Sequence, residues 1–247
     1  MIRSAYHFNA NWKVWLFVLL LLPLLLRLGF WQLQRADEKR LLLAQYEQQG
    51  AAAALAPAQL AELTEQQLAF RRVRLSGLLL EESSILLDNQ IRDGRVGYHL
   101  LQPFIDSSGI IFLLNRGWIA GAADRSLPTI PRVERELDVV ASVHVPLGKA
   151  VVLGQDSWPA GWPLRVQAID VERVAARLRA NTDFASLKLY PYVLRIQQHE
   201  AAALAVNWPP VNTRPEKHTG YAVQWFAMSL ALLVCGLFAS LSRRPER

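Results

Sequence analysis

Apolar residues gather in two long blocks near the ends of this chain, while between the blocks they alternate with polar ones. From Val14 to Leu26 the sequence is apolar, with Pro23 inside it. Arg27 interrupts, and Leu28-Gly29-Phe30-Trp31 carry the block on. The total is about 18 residues, at the short end for a membrane-spanning helix. From Gly220 to Leu241 no charge occurs, a run of about 22 residues and enough to cross a hydrocarbon core. The pattern therefore predicts transmembrane helices over 14–33 and 218–241. Arg27 lies near the end of the first, where its charge can snorkel to the interface beside Trp31. No small-x-small cleavage site follows, which favours an uncleaved anchor over a signal peptide.

Between the blocks the period changes twice. Residues 35–70 are rich in Glu, Gln, Ala, Leu and Lys and predict helix, with Pro57 opening a second short helix that ends before Phe70. From Arg72 the alternation is that of a half-buried strand. Ser84 to Ile91 and Val96 to Ile105 flank Arg92-Asp93-Gly94-Arg95, a hairpin signal because the turn needs positive φ. Ile110 to Leu114, after Ser107-Ser108-Gly109, is a third antiparallel neighbour. Val139 to Val145, Leu164 to Ile169 and Tyr190 to Gln197 are further strands, and Val171 to Ala180 is a helix with Asp170 as its N-cap. The fold class expected is a membrane protein of α+β type. Two transmembrane helices flank a mainly antiparallel β domain outside the cytoplasm, which carries a few helices.

Charge sets the orientation. Arg3 and Lys13 precede the first span, and Arg243, Arg244 and Arg247 follow the second, so both tails are expected in the cytoplasm. The segments are then a cytoplasmic tail 1–13, a span 14–33, a periplasmic domain 34–217, a span 218–241 and a cytoplasmic tail 242–247. The net charge is +6, but the basic residues are scattered among acidic ones and form no block interleaved with aromatics, which argues against nucleic-acid binding. Cys235 is the single cysteine, so neither an intrachain disulfide nor a Cys-x-x-Cys pair exists. The chain opens on an anchor without an Arg- and Ser-rich transit segment, which favours a bacterial inner (plasma) membrane over a mitochondrial one.

Candidate chemistry is sparse. Phosphate-loop, dinucleotide and nucleophile-elbow patterns are absent. His99 and His144 sit in strand-like runs, where satisfied core or surface histidines are the ordinary case. Asn115-Arg116-Gly117-Trp118 ends an apolar strand, and Gly117 suggests a bulge or a close backbone approach. His218 is different. It stands where the charged residues stop and the second apolar block begins, with ring nitrogens able to donate, accept or ligate a metal. Tyr221 and Trp225, three and seven residues on, share its helix face. An aromatic belt with a polar neighbour is the alternative reading of the same spacing.

The sequence resembles the surfeit locus protein one family, the cytochrome c oxidase assembly factors. The resemblance is carried by Leu28-Gly29-Phe30-Trp31-Gln32-Leu33-Gln34-Arg35 with Lys39, and by Leu87-Asp88-Asn89-Gln90. It continues in Gly97-Tyr98-His99-Leu100-Leu101-Gln102-Pro103-Phe104, in Asn115-Arg116-Gly117-Trp118-Ile119 and in Asn212 to Phe226. It implies an assembly factor rather than a catalyst, one that binds or relays haem a for insertion into subunit I of the oxidase. It implies that His218 ligates the haem iron, with Tyr221 and Trp225 as neighbouring motif positions. A neutral imidazole is an ordinary axial haem ligand. Arg214 and Lys217 then stand where haem propionates would meet charge-assisted contacts. The partners implied are oxidase subunit I, the lipid bilayer and the haem a synthesis machinery. Two other readings stay open on the residues alone: a two-span receptor or sensor with an outer ligand-binding domain, and a doubly anchored periplasmic enzyme.

Overall fold

The structure, a computed structural model, describes residues 6–8, 11–124, 126–133, 135–146, 158–180, 184 and 187–243. Arg3, Arg244 and Arg247, which carry part of the orientation reading, lie outside the described residues. In chain order the elements are β1 (Tyr6–Phe8), α1 (Trp12–Ala51), a 3-10 turn over Pro57–Glu62, α2 (Glu65–Leu68), β2 (Arg72–Leu79), β3 (Ile85–Arg92), β4 (Arg95–Asp106), β5 (Ile110–Ala120), β6 (Leu137–His144), β7 (Leu164–Val166), α3 (Val171–Arg179), β8 (Lys188–Ile196), α4 (Pro215–Ala239) and β9 (Leu241–Arg243). They divide into two compact units, Met1–Ala44 with Pro210–Arg247, and Gln45–Pro209.

The first unit is a helix pair. Helices α1 and α4 are each long and apolar enough to cross a membrane. Helix α1 continues without a break past its apolar block to Ala51, because the Glu-, Gln- and Leu-rich stretch that follows favours helix as strongly. The buried residues of α4 are Pro215, Ala222, Ser229 and Gly236, one every seven positions. Those of α1 are Val18, Leu25, Gly29 and Ala36. A seven-residue repeat keeps one seam facing the partner helix, and small residues let the backbones approach. A Cβ on Gly29 would lie 2.6 Å from the Phe226 ring, and one on Gly236 would lie 3.1 Å from Val18. Phe226 meets Phe30 edge to face at 5.2 Å. Trp15 Nε1 donates to Ser240 Oγ at 2.9 Å. The large side chains point the other way: Phe17, Leu19, Leu20, Phe30, Leu230 and Phe238 are exposed, as is Cys235.

The second unit is a sheet that closes on itself. Strand β2 pairs with β6 along its length and with β4 at its end, so the order β2-β6-β8-β5-β4 returns to β2. Strand β4 is long enough to hold β3 along its first half and β2 along its last residues. Gly77 is the junction, paired with both Leu137 and Asp106. A Cβ there would lie 2.0 Å from the Ile105 carbonyl oxygen. Burial in β2 alternates strictly, as a strand with one face in a core requires. Val73, Leu75, Phe104, Phe112, Leu114 and Leu194 belong to the cluster inside the ring. Ile111 and Leu113 of β5 turn outward onto Val174 and Leu178 of α3. Strand β5 is thus covered on both faces, which is why Ile110 to Leu114 is continuously apolar.

The local signals hold. Asp93 and Gly94 both adopt positive φ, 50° and 74°, in the β3–β4 hairpin. Asp170 Oδ1 accepts from the Arg173 amide at 3.0 Å and caps α3. The sheet is mainly antiparallel, but β5–β8 and β3–β7 pair in parallel. Strand β5 runs on to Ala120 instead of ending at Leu114, because the ladder absorbs Arg116 as a bulge. Leu100 faces Gly117 and Leu101 faces Asn115, leaving Arg116 the extra residue. Gly117 sits at φ 121°, a conformation that favours glycine.

Candidate functional site

The predicted site residues lie at the head of α4. Pro215 occupies the first helical turn after Arg214, the N-cap, a position where its missing N–H costs nothing. At about 100° per residue, His218, Trp225 and Tyr221 fall on one flank of the Ala222 seam and Phe226 falls on the other. The helix brings the three together as the spacing predicts. His218 and Trp225 are half-buried, and Tyr221 is 42% exposed. Arg214 and Lys217 are exposed, in the cap and first turn.

The sequence reading gave Gln32 no role, and the structure places it against the histidine. His218 Nδ1 lies 2.8 Å from Gln32 Oε1. An amide oxygen only accepts, so Nδ1 carries the proton and donates. In that tautomer the lone pair of the ring lies on Nε2. One nitrogen held by an oxygen acceptor while the other is left to ligate is the usual arrangement of a metal-binding histidine. About two turns further along α1, Arg40 Nη2 donates to Thr219 Oγ1 at 3.1 Å, and Arg40 is itself paired with Asp37 at 2.6 Å. The head of α4 is therefore fixed to α1 by two polar contacts above an apolar seam. The sequence signals for Gln32 are its place at the polar end of an apolar run, with Gln34 beside it, and in the Leu28 to Arg35 block. The donor set suits an iron porphyrin: one imidazole nitrogen, two aromatic side chains on the same flank, and two exposed cations in the adjoining turn.

The second unit holds a polar cluster that sequence reasoning did not assemble. His144 Nε2 lies 3.2 Å from Arg195 Nη2. The Arg195 guanidinium lies 4.9 Å from the Trp208 ring centre, and His99 meets that ring edge to face at 5.2 Å. Burial, followed by the Arg195 charge, holds His99 and His144 down to about 4 from the ordinary 6.5. Burial also lowers Arg195 to about 10. The histidines are neutral and half-buried, as the ordinary reading of them expected, yet they line a cavity of about 410 Å³ with Arg195, Asn115 and Gln90.

The Asn115-Arg116-Gly117-Trp118 stretch is a structural clamp. Arg116 is 1% exposed. Its Nε donates to the Ala202 carbonyl at 2.8 Å, and its Nη1 donates to Gln102 Oε1 at 2.6 Å and the Pro131 carbonyl at 3.0 Å. Trp118 Nε1 donates to the Gln90 carbonyl at 2.8 Å, and its ring covers Gly97, where a Cβ would lie 2.6 Å away. Strand β3 bulges opposite, at Asp88 and Asn89, with Asn89 at φ 58°. The three sequence blocks in β3, β4 and β5 are thus one interlocked corner. Among the described residues no group of three or more His, Cys, Asp or Glu side chains gathers to hold a metal.

The chain is similar in sequence to known proteins over most of its length. The chain is 26% identical over 236 residues to a SURF1-like protein of Rickettsia felis, covering 90% of this chain and 94% of that one. It is 24% identical over 226 residues to a SURF1-like protein of Rickettsia conorii, covering 88% and 87%. An uncharacterized SURF1-like protein of Mycobacterium bovis is 24% identical over 179 residues, covering 72% of this chain and 63% of its own. The SURF1 family matches residues 19–230. With most of its length matched, from within the first helix to within the last, this chain belongs to the SURF1 family, which is associated with cytochrome c oxidase assembly.

Proposed function

We propose that this protein serves cytochrome c oxidase assembly by holding haem a at the head of α4 for insertion into subunit I of the oxidase. The observation that carries the reading is the His218–Gln32 hydrogen bond at 2.8 Å. It fixes the ring, sets the tautomer and leaves Nε2 as a ligand. Tyr221 and Trp225 supply a flat apolar flank with a hydroxyl and an indole N–H at its edge. Arg214 and Lys217, at the positive end of the helix, attract carboxylates. Haem, when bound, would supply an iron, and the His218 imidazole would be the group that holds it. The protein's own part is to bind, orient and shield, and no group on α4 is arranged for covalent chemistry. In this reading the protein is an inner-membrane protein with both termini in the cytoplasm and the closed sheet in the periplasm, where it docks on subunit I. The haem a synthesis machinery is the source of the cargo.

The test is spectroscopic. Protein extracted from membranes of a haem-a-producing host is expected to carry haem a with a six-coordinate or histidine-ligated spectrum. His218→Ala is expected to lose most of it while the protein still folds and inserts. An unchanged haem spectrum and stoichiometry in His218→Ala would refute the reading. Subunit I is expected to co-purify with the wild-type chain, which neither a sensor nor an anchored enzyme requires.

A further inference from the structure

The geometry points to a second binding site, in the closed sheet: the cavity beside Arg195 takes a small amphipathic carboxylate, its head at the guanidinium and its apolar body along the sheet. The proposal stands apart from the His218 reading, because every residue it uses lies in the other unit.

The size is right for a small molecule. The cavity holds about 410 Å³, within the range of roughly 300–1,000 Å³ usual for ligand pockets. Leu87, Leu101, Ile169 and Val193 give it an apolar wall, and its polar groups include Gln90, His99, Asn115, His144, Gln167 and Arg195. That is the composition by which pockets bury an apolar body and orient it by one end.

The charge is of one sign. Among the described lining residues Arg195 is the one charged side chain and none is a carboxylate. No ion pair to Arg195 occurs among the described residues, and its buried Nε lacks a hydrogen-bond partner. A guanidinium withdrawn from water without a counter-ion leaves unmet demand for an anion, and carboxylates satisfy a guanidinium best because the two planar groups match. The Trp208 face and the His144 ring hold the guanidinium in place. A neutral ligand would leave that demand unmet.

The two histidines do not make this a metal site. Arg195 Nη2 stands 3.2 Å from His144 Nε2, so it occupies that nitrogen's lone pair and places a positive charge where a cation would sit. Asn115 and Gln90 offer amide groups to the second carboxylate oxygen or to a bound water. A bare phosphate or sulfate would use the guanidinium but not the apolar wall.

The probes are hexanoate, hexanol, hexylamine, inorganic phosphate and Zn²⁺. Each is titrated onto the full-length chain in nanodiscs by saturation-transfer NMR or calorimetry, with empty nanodiscs subtracted. Hexanoate is expected to bind at least tenfold more tightly than hexanol, and hexylamine is expected not to bind. Arg195→Gln should reduce hexanoate to the alcohol's level, and Arg195→Lys should retain part of the preference. Val171→Trp fills the cavity from the first turn of α3 without touching the guanidinium, so it should abolish binding even if the Arg195 variants do not fold. Equal binding of hexanol would overturn the proposal in favour of a merely apolar cavity. Phosphate binding as tight as hexanoate would make it a bare anion site, and Zn²⁺ binding lost in His99→Ala would make it a metal site. Binding of none of the probes would also overturn it.

Discussion

The two units use the same apolar residues in opposite places. In the helix pair many large side chains, among them Phe17, Leu20, Phe30 and Phe238, are exposed, and the buried seam joins Val18, Leu25 and Pro215 to the small residues Gly29, Ala36, Ala222, Ser229 and Gly236. In the closed sheet Phe104, Phe112, Leu114 and Leu194 are fully buried. The difference follows from the solvent each surface meets. In water, burying a large apolar side chain is favourable by about 1.5–3 kcal/mol, so the sheet gathers them inside. Lipid tails are as apolar as leucine, so the helices gain nothing by hiding their bulk and associate through close packing and a few hydrogen bonds. Area holds one unit together and shape holds the other.

The sharpest way to break the contrast is at Gly77, where the sheet closes. Valine there would drive a Cβ to 2.0 Å from the Ile105 carbonyl oxygen, a backbone atom that cannot move without opening β2 from β4. Gly77→Val is expected to destabilise the sheet by about 3 kcal/mol or more and to leave the helices intact. Hydrogen exchange read separately over β2–β8 and over α1 and α4 checks this. Equal protection in the sheet of the variant and the wild type would show that the β2–β4 seam is not what closes it.

Acid should act on the same unit by a different route. His99 and His144 ionise near 4 in the folded chain, against 6.5 ordinarily. Between those values the unfolded chain binds more protons than the folded one, so stability falls as pH drops from about 6.5 to 4 and no further below that on their account. The loss is roughly 3 kcal/mol for each imidazole taken alone. Urea unfolding of the sheet followed from pH 7.5 to 4 should show it, and the double variant His99→Gln, His144→Gln should flatten the profile. A flat profile in the unaltered protein would mean that the imidazoles are solvated.

A smaller effect is expected in the helix pair. Leucine at Gly29 would press on the Phe226 ring, 2.6 Å from the new Cβ. A ring gives way more easily than a backbone, so Gly29→Leu should weaken helix association by only about 1–2 kcal/mol. Pulsed EPR between labels at Leu19 and Leu230, with Cys235 replaced by Ser, should report a wider separation. An unchanged distance would mean that Phe226 turns aside and shape matters less than the seam suggests.

What the sequence disclosed divides along the range of each interaction. The Asp93-Gly94 turn, the Asp170 cap and the shared face of His218, Tyr221 and Trp225 are set by residues within a few positions, and all were legible. The bulge that Gly117 suggested is present, but the continuation of β5 past it was not legible, because the polar Asn115-Arg116 breaks the apolar run that marks the strand. The parallel pairing of β5 with β8 and the ring closure at Gly77 depend on strands far apart in the chain. So does the meeting of His99, His144 and Arg195, which three different strands bring to one cavity. Gln32 lies 186 positions from His218, and no local period links an amide in one helix to an imidazole in another.

That distant amide gives the finest test, because it separates stability from function within the helix pair. Gln32→Leu removes the acceptor from His218 Nδ1 and keeps the side chain's bulk. A single side-chain hydrogen bond between membrane helices contributes about 0.6 kcal/mol, so the fold should scarcely respond, unlike its response to Gly29→Leu. If His218 holds haem as proposed, haem retention should respond strongly. An outer partner that orients a ligating histidine is worth about 10–100-fold in affinity, and without it the ring can turn and either nitrogen can hold the proton. Gln32→Glu keeps an oxygen acceptor at the same reach and should restore most of the affinity. Titration of haem onto the three proteins, with thermal melts alongside, reads both quantities. If Gln32→Leu binds as tightly as the parent, the amide does not orient the ring. If Gln32→Glu fails as badly as Gln32→Leu, its charge beside the helix end outweighs its geometry.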